Sequence, residues 1–236
     1  MSNQWFRFKK FTIHQDRCAM KVGTDGVILG AWVNVRGMHS ALDIGTGTGL
    51  LALMLAQRQK KLKVTALEID PAATLQALEN VAESPFSSQV QVIHSDFRTF
   101  QSEDSVKFDI LICNPPYFSA SLQPAQTERA IARHSETLEI SDIFKRAEEL
   151  LNANGEINVV VPASREEEVV KSAAVMGLHV TRILRVIPVP GKEAARTCLC
   201  FSWEKLMLKE ESLVIEEGPR HMYTKEYREL TKDFYL

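Results

Sequence analysis

An Asn-Pro-Pro-Tyr tetrapeptide at positions 114–117 carries the side chains best suited to chemistry on an amine. Its prolines restrict the backbone, so the side-chain oxygen of Asn114 and the carbonyl oxygen of Pro115 are held with little freedom. These two oxygens can accept both hydrogens of an exocyclic amine and favour the pyramidal nitrogen that attacks a methyl group. Tyr117 offers a face on which a planar base can stack. We predict that Asn114, Pro115 and Tyr117 are catalytic; a rigid proline turn that closes a strand is the alternative.

A glycine-rich loop lies earlier in the chain, in the run Asp-Ile-Gly-Thr-Gly-Thr-Gly at positions 43–49. Gly45, Gly47 and Gly49 allow a tight turn between a strand and a helix and let the backbone approach a ligand closely. Asp43 would repel a phosphate and favours a cationic ligand. S-adenosylmethionine carries a sulfonium and an ammonium and no phosphate, so we predict it as the cofactor. A glycine-rich turn that binds nothing is the alternative.

Further residues stand where the ribose and the adenine of such a cofactor would lie. Glu68, about 20 residues past the glycine loop, can accept hydrogen bonds from both hydroxyls of a ribose. Asp96 can accept a hydrogen bond from the adenine amino group, with Ile69 and Phe97 packed on the base. A helix cap is the alternative role for Asp96.

Thr24 and Asp25 are predicted to close over the cofactor from the N-terminal side, with Asp25 near the methionine ammonium. Asp25 could equally be the N-cap residue of a helix over residues 26–33. Asn114 also borders the cofactor in this prediction, because it faces the methyl group that is transferred.

Short apolar runs alternate with helical patterns from residue 40 onward, which is typical of βαβ units and a mostly parallel sheet. Strands are predicted at 41–44, 63–67, 90–93, 108–113 and 156–161, and helices over 50–56, from 71, over 140–151 and from 164. Two β-rich stretches at 179–189 and 194–203 are predicted to form an antiparallel hairpin at the sheet edge. We therefore predict an α/β fold with a doubly wound, Rossmann-like sheet, which places the motifs at the carboxyl ends of strands.

The composition is that of an ordinary globular protein, with 45% hydrophobic and 25% charged residues. A formal net charge of −2 excludes a bulk polycation, and 8% aromatic residues argue against a disordered class. The sequence shows no bilayer-length apolar run, no signal peptide and no H-x-x-x-H pair. We expect a single domain over residues 1–236, with an N-terminal segment at 1–39, a core at 40–205 and a tail at 206–236. We also expect no metal site, no membrane contact, reduced cysteines and a cytoplasmic location.

Together, the glycine loop, Glu68, Asp96 and the tetrapeptide resemble the class I S-adenosylmethionine-dependent methyltransferases that act on amino groups, over residues 40–205. The stretch at 8–32, most distinctively Lys-Val-Gly-Thr-Asp at 21–25, resembles the N-terminal signature of the bacterial tRNA1(Val) (adenine(37)-N6)-methyltransferases. The resemblance implies a class I methyltransferase fold and methylation of N6 of the adenine beside the anticodon. The alternatives are an N5-glutamine protein methyltransferase, a DNA or rRNA amino methyltransferase, and a non-catalytic tRNA-binding module.

Two groups of basic residues are candidates for binding the anticodon arm of a tRNA. They are Lys9, Lys10, Arg17 and Lys21 in the N-terminal segment, and Arg129, Arg133 and His134 after the tetrapeptide. Basic side chains neutralise phosphates, and the aromatic residues interleaved with the first group can stack on bases. Alternatively, Trp5 and the phenylalanines anchor the N-terminal segment to the core, and the second group is ordinary mixed-charge surface. We expect the protein to be a monomer.

Overall fold

The computed structural model describes residues 3–103, 106–115 and 138–235. The strands in these residues are β1 Trp5–Arg7, β2 Thr12–His14, β3 Ser40–Ile44, β4 Lys63–Glu68, β5 Val90–His94, β6 Phe108–Cys113, β7 Leu151–Pro162, β8 His179–Ile187, β9 Arg196–Ser202 and β10 Lys209–Val214. The α-helices are α1 Thr24–Trp32, α2 Leu50–Arg58, α3 Pro71–Ala82, α4 Ile140–Lys145, α5 Ala147–Leu150, α6 Glu166–Val175 and α7 Lys225–Thr231.

Eight strands form one sheet in the order β5-β4-β3-β6-β7-β9-β8-β10, and β1 and β2 form a separate hairpin. Neighbouring strands of the large sheet are parallel, except that β9 runs antiparallel to both β7 and β8. The predicted parallel sheet and the predicted antiparallel hairpin are both confirmed. Strand β10 extends the sheet beyond that hairpin. Sequence reasoning missed β10 because four of its six residues are polar and exposed, so it lacks the alternation of a half-buried strand.

The carboxyl ends of the parallel strands meet at one edge of the sheet. The chain order reverses at β3, which pairs with β4 on one side and with β6 on the other. Open α/β sheets bind ligands at such a reversal, outside the carboxyl ends of the strands. The glycine loop after β3, Glu68 at the end of β4 and Asn114 after β6 therefore lie at the same edge.

The helix predicted over residues 140–151 is wrong in its C-terminal part. Helix α4 ends at Lys145, α5 covers only the four residues that follow Arg146, and β7 already begins at Leu151. Leu151 pairs with Phe108 of β6. Tertiary pairing with β6 therefore draws the Asn-Ala-Asn-Gly segment into a strand, although its composition is typical of a helix end.

The N-terminal phenylalanines anchor the β1-β2 hairpin to the rest of the protein. Phe8 and Phe11 are buried, and their ring centroids lie 4.8 Å apart. Phe6 packs on Phe8 at 4.7 Å, and Tyr235 from the C-terminal segment packs on both. By contrast, Trp5 is 54% exposed. The structural role is therefore confirmed for the phenylalanines, whereas Trp5 stays accessible for stacking on a base.

Asn158 of β7 is fully buried, and neither polar atom of its side chain has a hydrogen-bond partner among the described residues. An unpartnered buried polar group costs roughly 1–3 kcal/mol. We expect Asn158→Val to raise the free energy of unfolding by about 1–3 kcal/mol in urea denaturation, because valine removes the unpaired amide and suits a strand. Val160→Ala, a cavity-forming control in the same strand, should lower it. A decrease for Asn158→Val would instead show that a buried water satisfies the amide.

Candidate active site

The glycine loop connects β3 to α2, and its conformation requires glycine at three positions. Gly45, Gly47 and Gly49 have φ angles of 67°, 57° and 82°, in the left-handed region that other residues rarely adopt. A Cβ atom at Gly45 or Gly47 would meet nothing within 4 Å, so backbone conformation rather than crowding selects glycine there. The space beside the loop is therefore open to a ligand.

Asp43, in β3, is fully buried just before the glycine loop. Its Oδ2 accepts hydrogen bonds from Thr46 Oγ1 at 2.5 Å and from the Ala52 backbone nitrogen at 3.1 Å. Its Oδ1 is buried and has no hydrogen-bond partner in the described part of the chain. Burial raises the pKa of Asp43 from 3.8 to about 7, although the two hydrogen bonds favour the charged form. A buried carboxylate with an unused oxygen fits a cationic ligand.

Glu68, the last residue of β4, holds the glycine loop in place. Its Oε2 accepts a hydrogen bond from the Gly47 backbone nitrogen at 2.8 Å, and its Oε1 accepts from the backbone nitrogens of Ile69 and Asp70, each at 2.9 Å. A carboxylate has about four acceptor positions, so these bonds leave about one for a ribose hydroxyl. Binding both hydroxyls, as the sequence analysis predicts, requires Glu68 to give up one amide bond.

Asp96, after β5, binds the side chain of Arg98 through both carboxylate oxygens at 2.7–3.0 Å. It also accepts a hydrogen bond from the Arg98 backbone nitrogen at 2.9 Å. The bonds from Arg98 hold the pKa of Asp96 below its usual value. Residues 97–99 form a turn and not a helix, so the bond from the Arg98 backbone nitrogen closes a turn, and the alternative role of Asp96 as a helix cap is wrong.

The two residues predicted to pack on the adenine lie in different environments. Ile69 is 49% exposed beside Glu68, which fits its predicted role. Phe97 is a core residue, with the guanidinium of Arg146 lying 5.5 Å from its ring centroid. In this structure the Phe97 ring is therefore covered by protein.

Asn114 and Pro115, the described part of the predicted catalytic motif, directly follow β6. Asn114 is partly buried and Pro115 is buried. The Nδ2 atom of Asn114 faces the first turn of α1, because a Cβ atom added to Gly26 would lie 3.4 Å from it. The predicted site residues that fall outside the described residues are Tyr117, Arg129, Arg133 and His134.

The first turn of α1 contains Thr24 and Asp25. The alternative interpretation of Asp25, as the N-cap residue of a helix over 26–33, is wrong, because α1 begins at Thr24 and Gly23 adopts the extended backbone of the N-cap. Asp25 Oδ2 instead accepts a hydrogen bond from Arg196 Nε at 2.8 Å. Arg196 stands 171 residues further along the chain, and no local sequence pattern indicates this contact.

The basic residues of the N-terminal segment differ in their contacts. Lys9 and Lys21 donate hydrogen bonds to backbone carbonyl oxygens, and Arg17 pairs with Glu79 at 2.8 Å. Lys10 is exposed. Three of the four side chains predicted to bind phosphate therefore already bond to other residues of this protein.

Comparison with known proteins identifies the family. The profile of the methyltransferase small domain matches residues 28–180. The tRNA1(Val) (adenine(37)-N6)-methyltransferase of Bacteroides thetaiotaomicron is 46% identical over 237 residues, which cover all of this chain and 99% of that protein. The chain belongs to the methyltransferase small domain family.

A second relative supports the family, and a solved structure supports the fold. The protein of the same name from Trichodesmium erythraeum is 43% identical over all of this chain and 99% of its own. A solved structure from Agrobacterium tumefaciens, described as a predicted O-methyltransferase, shares the fold with a TM-score of 0.67 at 19% identity, and the match covers 89% of this chain and 96% of that one. The predicted class I methyltransferase fold is confirmed.

S-adenosylmethionine is the cofactor of this class, and the residues at the sheet edge fit it. The open space beside Gly45 and Gly47 admits a ligand, and the unused Oδ1 of buried Asp43 suits a cation. In the described ranges, no helix is both long and apolar enough to cross a membrane. Nor do those ranges contain a group of three or more His, Cys, Asp or Glu side chains arranged to hold a metal ion.

Proposed function

We propose that this methyltransferase transfers a methyl group from S-adenosylmethionine to N6 of adenine 37 in tRNA1(Val). The observation that carries the proposal is the pairing of Ile44 with Cys113 at the ends of β3 and β6. Gly45 and Asn114 follow these two residues, so the cofactor loop and the amine-binding motif begin side by side. The relative from Bacteroides thetaiotaomicron, named for this reaction, matches over the full length and supports the choice of acceptor.

The proposed chemistry needs little beyond positioning. When bound, the cofactor would supply a methyl group carried on a sulfonium sulfur. Once the methyl group is transferred, that sulfur is left in a neutral thioether, which is the leaving group. Asn114 Oδ1 and the Pro115 carbonyl oxygen accept the two hydrogens of the adenine amino group, favour its pyramidal form and direct the N6 lone pair at the methyl carbon. The amine loses a proton during or after the attack, so no strong general base is required. Tyr117 stacks on the flipped base.

The proposal extends to the anticodon arm of the tRNA as partner and to a monomer acting in the cytoplasm. Exposed Lys10 and Trp5 lie on the β1-β2 hairpin and its turn, where a cation and an aromatic ring are both accessible. Such a pair suits a phosphate and an unstacked base. Arg129, Arg133 and His134 would supply further phosphate contacts.

The proposal is tested by incubating the protein with labelled S-adenosylmethionine and total tRNA from a strain that lacks it. We expect labelled N6-methyladenosine in the tRNA fraction, mapped by nuclease digestion to position 37 of a single isoacceptor. Total tRNA from the parent strain, already modified at that position, is the matched control and should accept little label.

Other outcomes of the same experiment separate the alternatives. Label found only in a protein fraction would identify a protein methyltransferase and refute the proposal. Binding of tRNA without any transfer would identify a non-catalytic binding module. Label in DNA or rRNA in place of tRNA would leave the chemistry intact and change the acceptor.

A further inference from the structure

The first turn of helix α1 lies beside the predicted catalytic amide, that of Asn114. Residues Gly26–Trp32 of this helix are all buried. A Cβ atom placed on Gly26 would lie 3.3 Å from Leu50 Cδ2 and 3.4 Å from Asn114 Nδ2, so the first turns of α1 and α2 meet at Asn114. An alanine at position 26 would place its Cβ in van der Waals contact with Asn114 Nδ2 and would require Leu50 Cδ2 to shift by only a few tenths of an ångström.

The two ends of the Asn114 amide lie at different distances from Gly26. Of the Asn114 atoms, only Nδ2 lies within 4 Å of the position where a Gly26 Cβ would stand. The amide nitrogen is therefore the end that packs against α1, and Oδ1, the atom required to accept an amine hydrogen, is farther from the helix. The first turn of α1 therefore borders the amide at its nitrogen end.

Arg196 ties this turn to the central sheet. Its Nε donates a hydrogen bond to Oδ2 of Asp25, the residue before Gly26, at 2.8 Å. Arg196 begins β9 and is paired with Pro162 of β7 and with Val186 of β8, so its backbone is fixed on both sides. The α1 helix has no side-chain N-cap, and Asp25 is the acidic residue of its first turn. The Asp25 and Arg196 side chains are 32% and 36% exposed, so the pair is partly shielded from water.

We propose that Arg196 is a positioning residue for methyl transfer, acting through Asp25 and Gly26 to hold the Asn114 amide with its oxygen toward the acceptor amine. The proposal rests on the proposed function, since it assigns Asn114 to the acceptor. It also gives Asp25 a role different from contact with the cofactor ammonium.

The test compares Arg196→Met with Arg185→Met, a matched control. Arg185 lies on β8, the strand beside β9, and its side chain has the same exposed fraction of 36%. It pairs with Glu166 of α6 at 2.6 Å and with Glu210 of β10 at 2.7 Å. We expect Arg196→Met to lower the single-turnover rate of methylation by about 10- to 100-fold, because a misplaced catalytic group loses most of its effect. Kd for S-adenosylmethionine and KM for tRNA should stay within about twofold of the wild-type values, and Arg196→Lys should recover part of the rate.

A double-mutant comparison checks that Arg196 acts through Asp25. We expect Asp25→Asn combined with Arg196→Met to be about as slow as the slower single variant, since both break the same link. Independent, multiplying effects would overturn the proposal. So would a raised KM for tRNA at an unchanged single-turnover rate, which would mean direct contact of Arg196 with RNA. A raised cofactor Kd for Asp25→Asn alone would assign Asp25 to the cofactor instead.

Gly26→Ala provides a variant that leaves the ion pair in place. Alanine is the better helix former, so we expect a melting temperature no lower than that of the wild type together with a reduced single-turnover rate. Unchanged activity in both Gly26→Ala and Arg196→Met would overturn the inference. If the wild type itself forms no N6-methyladenosine in tRNA, the proposed function fails first, so the two failures are distinguishable.

Discussion

Replacing Asn114 with alanine is expected to lower kcat by about 10²–10³-fold, the usual loss when one preorganised hydrogen-bonding group is removed from an active site. The physical reason is that the acceptor amine loses the oxygen that polarises it. Because Asn114 follows β6 and Asp43 lies buried in β3, the proposed interaction of Asp43 with the cofactor should survive the change. We therefore expect Kd for S-adenosylmethionine, measured by calorimetry, to change by less than about threefold.

A matched control for this change is Asn152→Ala. Asn152 lies at the start of β7, at the opposite edge of the sheet, where its Nδ2 donates to Asp109 Oδ1 at 2.7 Å. Losing that amide should leave kcat unchanged. If cofactor affinity in Asn114→Ala falls as much as kcat does, Asn114 is a cofactor ligand and its assignment to the acceptor amine is wrong.

The second large effect concerns Asp43 and pH. The buried carboxyl has a pKa of about 7, so it is mostly neutral at pH 6 and mostly ionised at pH 8. A cationic cofactor binds the ionised form better, so affinity should fall as the pH drops below 7, by about tenfold per unit. Calorimetric titration at pH 6, 7 and 8 measures this dependence.

Asp43→Asn separates the titration of the protein from that of the cofactor. The amide stays neutral at every pH, so the variant should bind weakly throughout, and the ratio of wild-type to variant affinity should rise between pH 6 and pH 8. A constant ratio would show that Asp43 does not carry the charge that the cofactor recognises.

The stability of the fold depends on pH in the opposite direction to the cofactor affinity. The raised pKa means that the ionised form of Asp43 destabilises the fold as pH rises from about 4 through 7, and Asp43→Asn removes that loss.

Both predictions combine a motif visible in the sequence with an environment visible only in the fold. The spacing of Asp43, the three glycines and Asn114 already indicates a cationic ligand and an amine. The pKa of Asp43 does not follow from that spacing, because it depends on burial and on the absence of a partner for Oδ1 among the described residues.

The sequence by itself determined the features that arise locally along the chain. Alternating apolar runs and helical patterns define βαβ units, and the carboxyl ends of parallel strands share one edge, so the glycine loop, Glu68 and Asn114 had to converge. Glycine at positions 45, 47 and 49 follows from the left-handed backbone that the turn requires.

The tertiary structure decided the features that depend on contacts between distant residues. Arg196 reaches Asp25 across 171 positions, β10 joins the sheet despite its polar pattern, and Phe97 turns into the core. Pairing with β6 makes the Asn-Ala-Asn-Gly segment part of a strand. Local propensity is worth only fractions of a kcal/mol per residue, so burial and strand pairing outweigh it wherever the two disagree.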